Sequence, residues 1–190
     1  AKDVKKTGLQ PGLHGKKIIV QGLGNVGYHA ALFLSTEDNS IVTHVMERDG
    51  AIIDPDGIDI LSLKEHLTNT KTIKGYKGFV QSGLEILESE ADIIIPAAME
   101  LVITGKNADK IKAPLIIEAA NGPISADADE ILNQKNIIII PDLYANAGGV
   151  TVSYFEWIKN LSRIRFGRMQ RRAEENRFGA LIEGINTLTG

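Results

Sequence analysis

The stretch Gln21–Gly27 reads QGLGNVG and carries glycines at Gly22, Gly24 and Gly27. This G-x-G-x-x-G spacing suits a loop that wraps a pyrophosphate. The first glycine permits the tight turn, the second lets backbone approach the phosphates, and the third lets the following helix pack close to the strand. A helix beginning here turns its N-terminal N–H groups and partial positive charge toward an anion. Glu47 closes the next strand 20 residues past Gly27, where its carboxylate can accept two hydrogen bonds from a ribose diol. The chemistry implied is dinucleotide binding. Glu47 should repel a 2′-phosphate and so favour NAD over NADP, although Arg48 beside it offsets that repulsion and leaves NADP possible.

Three further loops follow apolar runs. Pro96-Ala97-Ala98 is built of small residues, which suits a flat ring lying over the backbone, or it is simply a strand ending at proline. Asn121-Gly122-Pro123 offers a carboxamide or an Asn-Gly turn. Asn146-Ala147-Gly148-Gly149 precedes a long helical pattern, with Asn146 as a ligand or as a helix cap. No acid–base pair accompanies these loops. His14, His29, His44 and His66 are each explained by surface or core packing, and Asp142 in PDLY is the nearest acid to the site. No cluster has metal-ligand spacing and no G-x-S-x-G elbow occurs. The expectation is a cofactor platform with no catalytic residue and no metal.

The elements that must position these groups alternate. Lys16–Gly22 and Ser40–Glu47 read as strands, and a helix between them runs from about Asn25 to Ser35 with Val26, Ala30 and Phe33 on its buried face. A short strand and a Pro-Asp-Gly turn follow, then a helix over Ile58–Leu67 and an irregular or hairpin-like stretch over 69–81. Ser82 with Glu85 has capping-box spacing and starts a short helix through Leu87. The runs ADIIIPAA, APLIIEAANG and NIIIIPDLYANAGG are strands, with a helix over Ser125–Gln134 before the last. Strands apolar throughout are buried on both faces. The expected fold is therefore α/β, a doubly wound, mostly parallel sheet with helices on both faces and a long C-terminal helix from about Ala147.

The 190 residues are 43% hydrophobic, 24% charged and carry net charge -3, so nothing in the balance asks for a nucleic acid. The arginine-rich segment Arg163–Arg177 is read as a solvated helix laced with ion pairs. With no cysteine there are no disulfides, which fits an intracellular setting. No membrane-spanning run and no signal peptide is visible. The start at Ala1 and the stop at Gly190 in mid-pattern suggest a fragment.

The segments VQGLGNVG, IIPAAME, EAANGP and PDLYANAGGVTVSYFEW, spread over about Gly12 to Asn160, resemble the Rossmann-type cofactor domain of glutamate dehydrogenase, in the glutamate/leucine/phenylalanine/valine dehydrogenase family. The last segment is the most specific. The resemblance implies NAD(P)-dependent, reversible oxidative deamination of L-glutamate to 2-oxoglutarate and ammonia. It puts Asn25 and Val26 under the pyrophosphate and Glu47 on the adenosine ribose. Ala97, Ala98 and Asn121 fall on the nicotinamide side, Asn146 beside the reacting centre, and Ser153 at the substrate's distal carboxylate.

The family's catalytic lysine and aspartate belong to a separate N-terminal domain that this chain does not match. Residues 1–160 are thus expected to form the dinucleotide domain and 161–190 part of a truncated helical segment, inactive alone. The parent is expected to be a homo-oligomer, usually a hexamer, in the cytoplasm or the mitochondrial matrix. The alternatives are a leucine-, valine- or phenylalanine-type dehydrogenase domain and a non-catalytic NAD-binding module.

Overall fold

A computed structural model describes residues 8–162. Seven strands form one sheet: β1 (Lys17–Gln21), β2 (Ile41–Glu47), β3 (Gly50–Ile53), β4 (Phe79–Val80), β5 (Ile93–Pro96), β6 (Leu115–Ile117) and β7 (Ile138–Ile140), in the order β4-β3-β2-β1-β5-β6-β7. The five strands β2, β1, β5, β6 and β7 run parallel. The other edge is antiparallel, because only Arg48 and Asp49 separate β2 from β3 and a parallel crossover needs a dozen or more residues. The expected α/β, doubly wound, mostly parallel sheet is what the chain forms.

Alternate residues of the central strands enter opposite faces. Ile19 and Ile94 join Ile116, Ala128 and Leu132 in one core, while Ile18, Val20, Ile93 and Ile95 join Ala31 and Leu63 in the other. Helix α3 (Ala126–Gln134) therefore covers one face, and α1 (Asn25–Thr36) and α2 (Ile60–Thr70) cover the other. Each fully buried isoleucine contributes about 1.5–3 kcal/mol, and β1 holds two of them and β5 three. The core thus fixes the two strands whose ends carry the site. Helices α4 (Asp142–Ala145) and α5 (Ala147–Ser162) complete the described residues. The chain divides into two compact units, one ending at Ala147 and the other beginning at Gly148.

Two local expectations are corrected. The face of α1 that packs inward carries Gly27 and Ala31, whereas Val26 is 52% and Phe33 49% exposed and Ala30 is intermediate. Small residues win that face because the helix lies close against the end of β1, leaving no room for a phenylalanine. The segment after Ser82 is a 3₁₀ turn over Leu84–Glu88, with Gly83 preceding it. Glu85 Oε1 accepts from the Gly83 N–H at 2.8 Å and from the Ser82 hydroxyl at 2.9 Å, so the paired residues meet without starting an α-helix. The arginine-rich segment lies outside the described residues.

Candidate dinucleotide site

The sheet order reverses beside β1: β2 lies on one side and β5 on the other. Open α/β sheets bind ligands in the crevice at such a switch point, outside the carboxyl ends of the strands. Gly22 directly follows β1 there, with φ +91°. A Cβ on Gly22 would come within 2.3 Å of the Ala98 Cβ, and one on Gly27 within 1.9 Å of the Gly22 carbonyl oxygen. Ala97 also stands 3.2 Å from the Gly27 position. The glycine loop and Ala97-Ala98 are therefore one packed unit, and the small residues at 97 and 98 are required by that packing.

Gly24 differs from both neighbours: a Cβ there would meet nothing within 4 Å. It stands at the N-cap of α1 and provides no side-chain cap. The first-turn residues Asn25 and Val26 are exposed beside it. Open space at the positive end of a twelve-residue helix leaves room for a pyrophosphate to approach the backbone. Glu47, at the end of β2, accepts a hydrogen bond from the Leu23 N–H and so flanks the same loop. Lys64 donates to the Leu23 carbonyl at 3.0 Å from the other side.

Asn121 and Asn146 are brought together. Asn146 Nδ2 donates to Asn121 Oδ1 at 3.0 Å, so the loops after β6 and β7 meet through their carboxamides. Asn146 lies between α4 and α5, and its side chain is directed to this contact. Ser153 is exposed at the end of the second turn of α5, within the second unit. Three of the histidines have local partners: His29 pairs with the Asn25 carbonyl, His44 with the Thr43 hydroxyl and His66 with the Lys74 carbonyl. Burial, and then Lys17, push the His44 pKa below its ordinary value. Among the described residues no group of His, Asp or Glu is arranged to hold a metal, and no helix is long and apolar enough to cross a membrane.

A family model described as Glutamate/Leucine/Phenylalanine/Valine dehydrogenase matches residues 2–178. The chain belongs to this family. It is 46% identical over its whole length to a probable glutamate dehydrogenase of Sinorhizobium fredii, covering 44% of that protein. It is 45% identical to the mitochondrial glutamate dehydrogenase of Dictyostelium discoideum, with 97% of this chain covering 37% of that one. Among solved structures, the hetero-hexameric glutamate dehydrogenase of Thermus thermophilus superimposes with a TM-score of 0.76 at 27% identity, over 95% of this chain and 42% of that one. The glutamate dehydrogenase of Peptoniphilus asaccharolyticus gives 0.63 at 33% identity, over 85% and 36%. The chain spans less than half the length of these curated relatives.

Within this family domain, two buried residues that are not among the expected site residues tie the strand ends together. Gln21 is 3% exposed, and its side-chain oxygen accepts from the Ala98 N–H at 3.1 Å, tying the end of β1 to the alanine loop. Glu118 is 8% exposed and accepts from the Asp142 N–H at 3.0 Å. Burial raises its pKa above the usual glutamate range, and the negative charges of Asp142 and Asp129 add to that against its backbone hydrogen bonds. The available signal was a polar residue ending an apolar run, as in IIVQG and LIIEAA.

Proposed function

We propose that this chain is the dinucleotide-binding domain of an NAD(P)-dependent amino-acid dehydrogenase whose substrate is L-glutamate. The observation that carries the reading is the glycine loop. It is rigid where Gly22 and Gly27 interlock with Ala97 and Ala98, open at Gly24, and flanked by a seated carboxylate at Glu47. The carboxylate also secures the loop through the Leu23 N–H, but a purely structural turn has no need of the open space at Gly24. The two curated glutamate dehydrogenases at 45% and 46% identity support glutamate as the substrate.

In this reading Gly22, Gly24, Asn25, Val26 and Gly27 hold the pyrophosphate against the start of α1. Glu47 accepts from the adenosine ribose, which favours NAD while leaving NADP possible. Ala97, Ala98 and Asn121 face the nicotinamide, Asn146 lies beside the reacting carbon, and Ser153 binds the distal carboxylate of the substrate. A bound dinucleotide supplies the hydride acceptor for oxidative deamination. The proton-handling residues come from an N-terminal domain outside this chain, and the parent assembles as an oligomer, as a homo-hexamer, in the cytoplasm or the mitochondrial matrix.

The test pairs a titration of the chain with NADH and NADPH against a glutamate-dependent turnover assay on the same preparation. Binding without turnover is expected. Binding of neither dinucleotide defeats the reading, and turnover by the chain alone shows an acid–base pair within it.

A further inference from the structure

Behind the paired carboxamides the hydrogen bonds close a ring. The Gly122 N–H donates to Asp142 Oδ2 at 2.9 Å, and the Asn146 N–H donates to the Asp142 carbonyl at 2.8 Å. The Asn146 side chain then returns to Asn121 Oδ1 at 3.0 Å, and Asn121 is bonded covalently to Gly122. Asp142 joins the same two loops independently of the carboxamides, through its side chain to Gly122 and its carbonyl to Asn146. Its second oxygen accepts from the Leu143 N–H at 2.6 Å, and its own N–H is held by the buried Glu118 at 3.0 Å.

A buried Glu118 beside Asp142 is a costly way to brace a loop, since desolvation and like charge both oppose the Glu118 carboxylate. Glutamine or asparagine would form most of the same bonds with less penalty. What an aspartate adds is an acceptor on each oxygen, one toward Gly122 and one toward Leu143, which fixes the facing of α4 relative to the Asn121 loop. A ligand meeting carboxamides already held in place loses less free energy to ordering them.

We propose that Asp142, seated by Glu118, is the positioning residue that holds the Asn121 and Asn146 carboxamides in register at the nicotinamide end of the site. The proposal rests on the cofactor function above. It assigns Asp142 no contact with the ligand.

The test compares NADH with ADP-ribose, which carries the pyrophosphate and the adenosine but no nicotinamide. ADP-ribose reads only the glycine loop and Glu47, whereas NADH reads both ends. Calorimetric titration of the full chain is expected to show wild type binding NADH more tightly than ADP-ribose. Asp142→Ala weakens NADH by about five- to tenfold, the worth of a lost positioned hydrogen bond, and leaves ADP-ribose unchanged. Asp142→Asn keeps an oxygen for one of the two N–H groups, so it recovers part of the NADH loss and provides the comparison if the alanine variant does not fold. Equal weakening of both ligands, no change in either, or equal binding of the two by wild type overturns the positioning role. Wild type that binds neither ligand overturns the cofactor function instead.

Discussion

Gly27 sits so close to Gly22 that a Cβ on the former would lie 1.9 Å from the carbonyl oxygen of the latter. The start of α1 is thereby pressed onto the end of β1, which forms the rigid part of the loop. Gly24, three residues before Gly27, has open space around it.

These two glycines should part company on substitution. Gly27→Ala is expected to destabilise the fold by about 3 kcal/mol, because backbone must move to admit the methyl group. Gly24→Ala should cost about 1 kcal/mol or less, as an N-cap without a side-chain acceptor, yet weaken dinucleotide binding by filling the open space beside the backbone. Urea midpoints read the first effect and NADH titration the second. Normal NADH affinity in a folded Gly24→Ala chain would count against the cradle.

Glu47→Ala removes the acceptor for the Leu23 N–H together with the proposed ribose contact. The expected result is about a tenfold loss for NADH, the scale of a hydrogen bond to a charged group, with a smaller loss for NADPH. Equal losses for both cofactors would point to a disturbed loop in place of a ribose contact.

Glu118 carries a pH signature. Its pKa is raised in the folded chain, with burial the largest cause, so its folded form binds a proton more readily than its unfolded form. Stability from this group is then greatest below the ordinary glutamate value of 4.5 and falls as pH rises through the folded pKa. Glu118→Gln keeps an acceptor for the Asp142 N–H and has no charge to bury. Its Tm relative to wild type should climb with pH over that window and then level off. A difference independent of pH would show that the carboxylate is not penalised.

Asp49 should behave in the opposite sense. Burial pushes its pKa up, but the Thr72 hydroxyl and backbone N–H groups including Ile73, with the charge of Lys74, outweigh that and hold it below its ordinary value. The stability it contributes is present above the unfolded value of 3.8 and is lost as pH falls through the lower folded pKa. Asp49→Asn should lower the Tm near neutral pH, with the gap closing in acid. This residue sits in the turn after Glu47, so the same variant reports how firmly that turn is held.

Much of the fold was legible because the central strands carry unbroken runs of isoleucine and valine, and a run buried on both faces admits few other readings. The glycine loop was legible for a related reason: strand, turn, helix and the acid ending the next strand are all close in sequence. The buried face of α1 is not legible from period alone, which does not say how near the sheet lies, and a close approach selects Gly27 and Ala31 over Val26 and Phe33. The Ser82–Glu85 pair does not distinguish the two, because its contacts serve a 3₁₀ turn as readily as an α-helix.

By itself the sequence determined the parallel core, the position of the glycine loop, and the residue types offered at each strand end. Those properties follow from local spacing and from burial, which a linear pattern records. Only the tertiary structure decided which strand ends meet: Gly22 against Ala98, Gln21 against the Ala98 N–H, and Glu118 through Asp142 to Gly122 beside the two asparagines. These partners lie between 20 and 77 residues apart in the chain. Their pairing is set by sheet order and crossover handedness, and no local spacing encodes either.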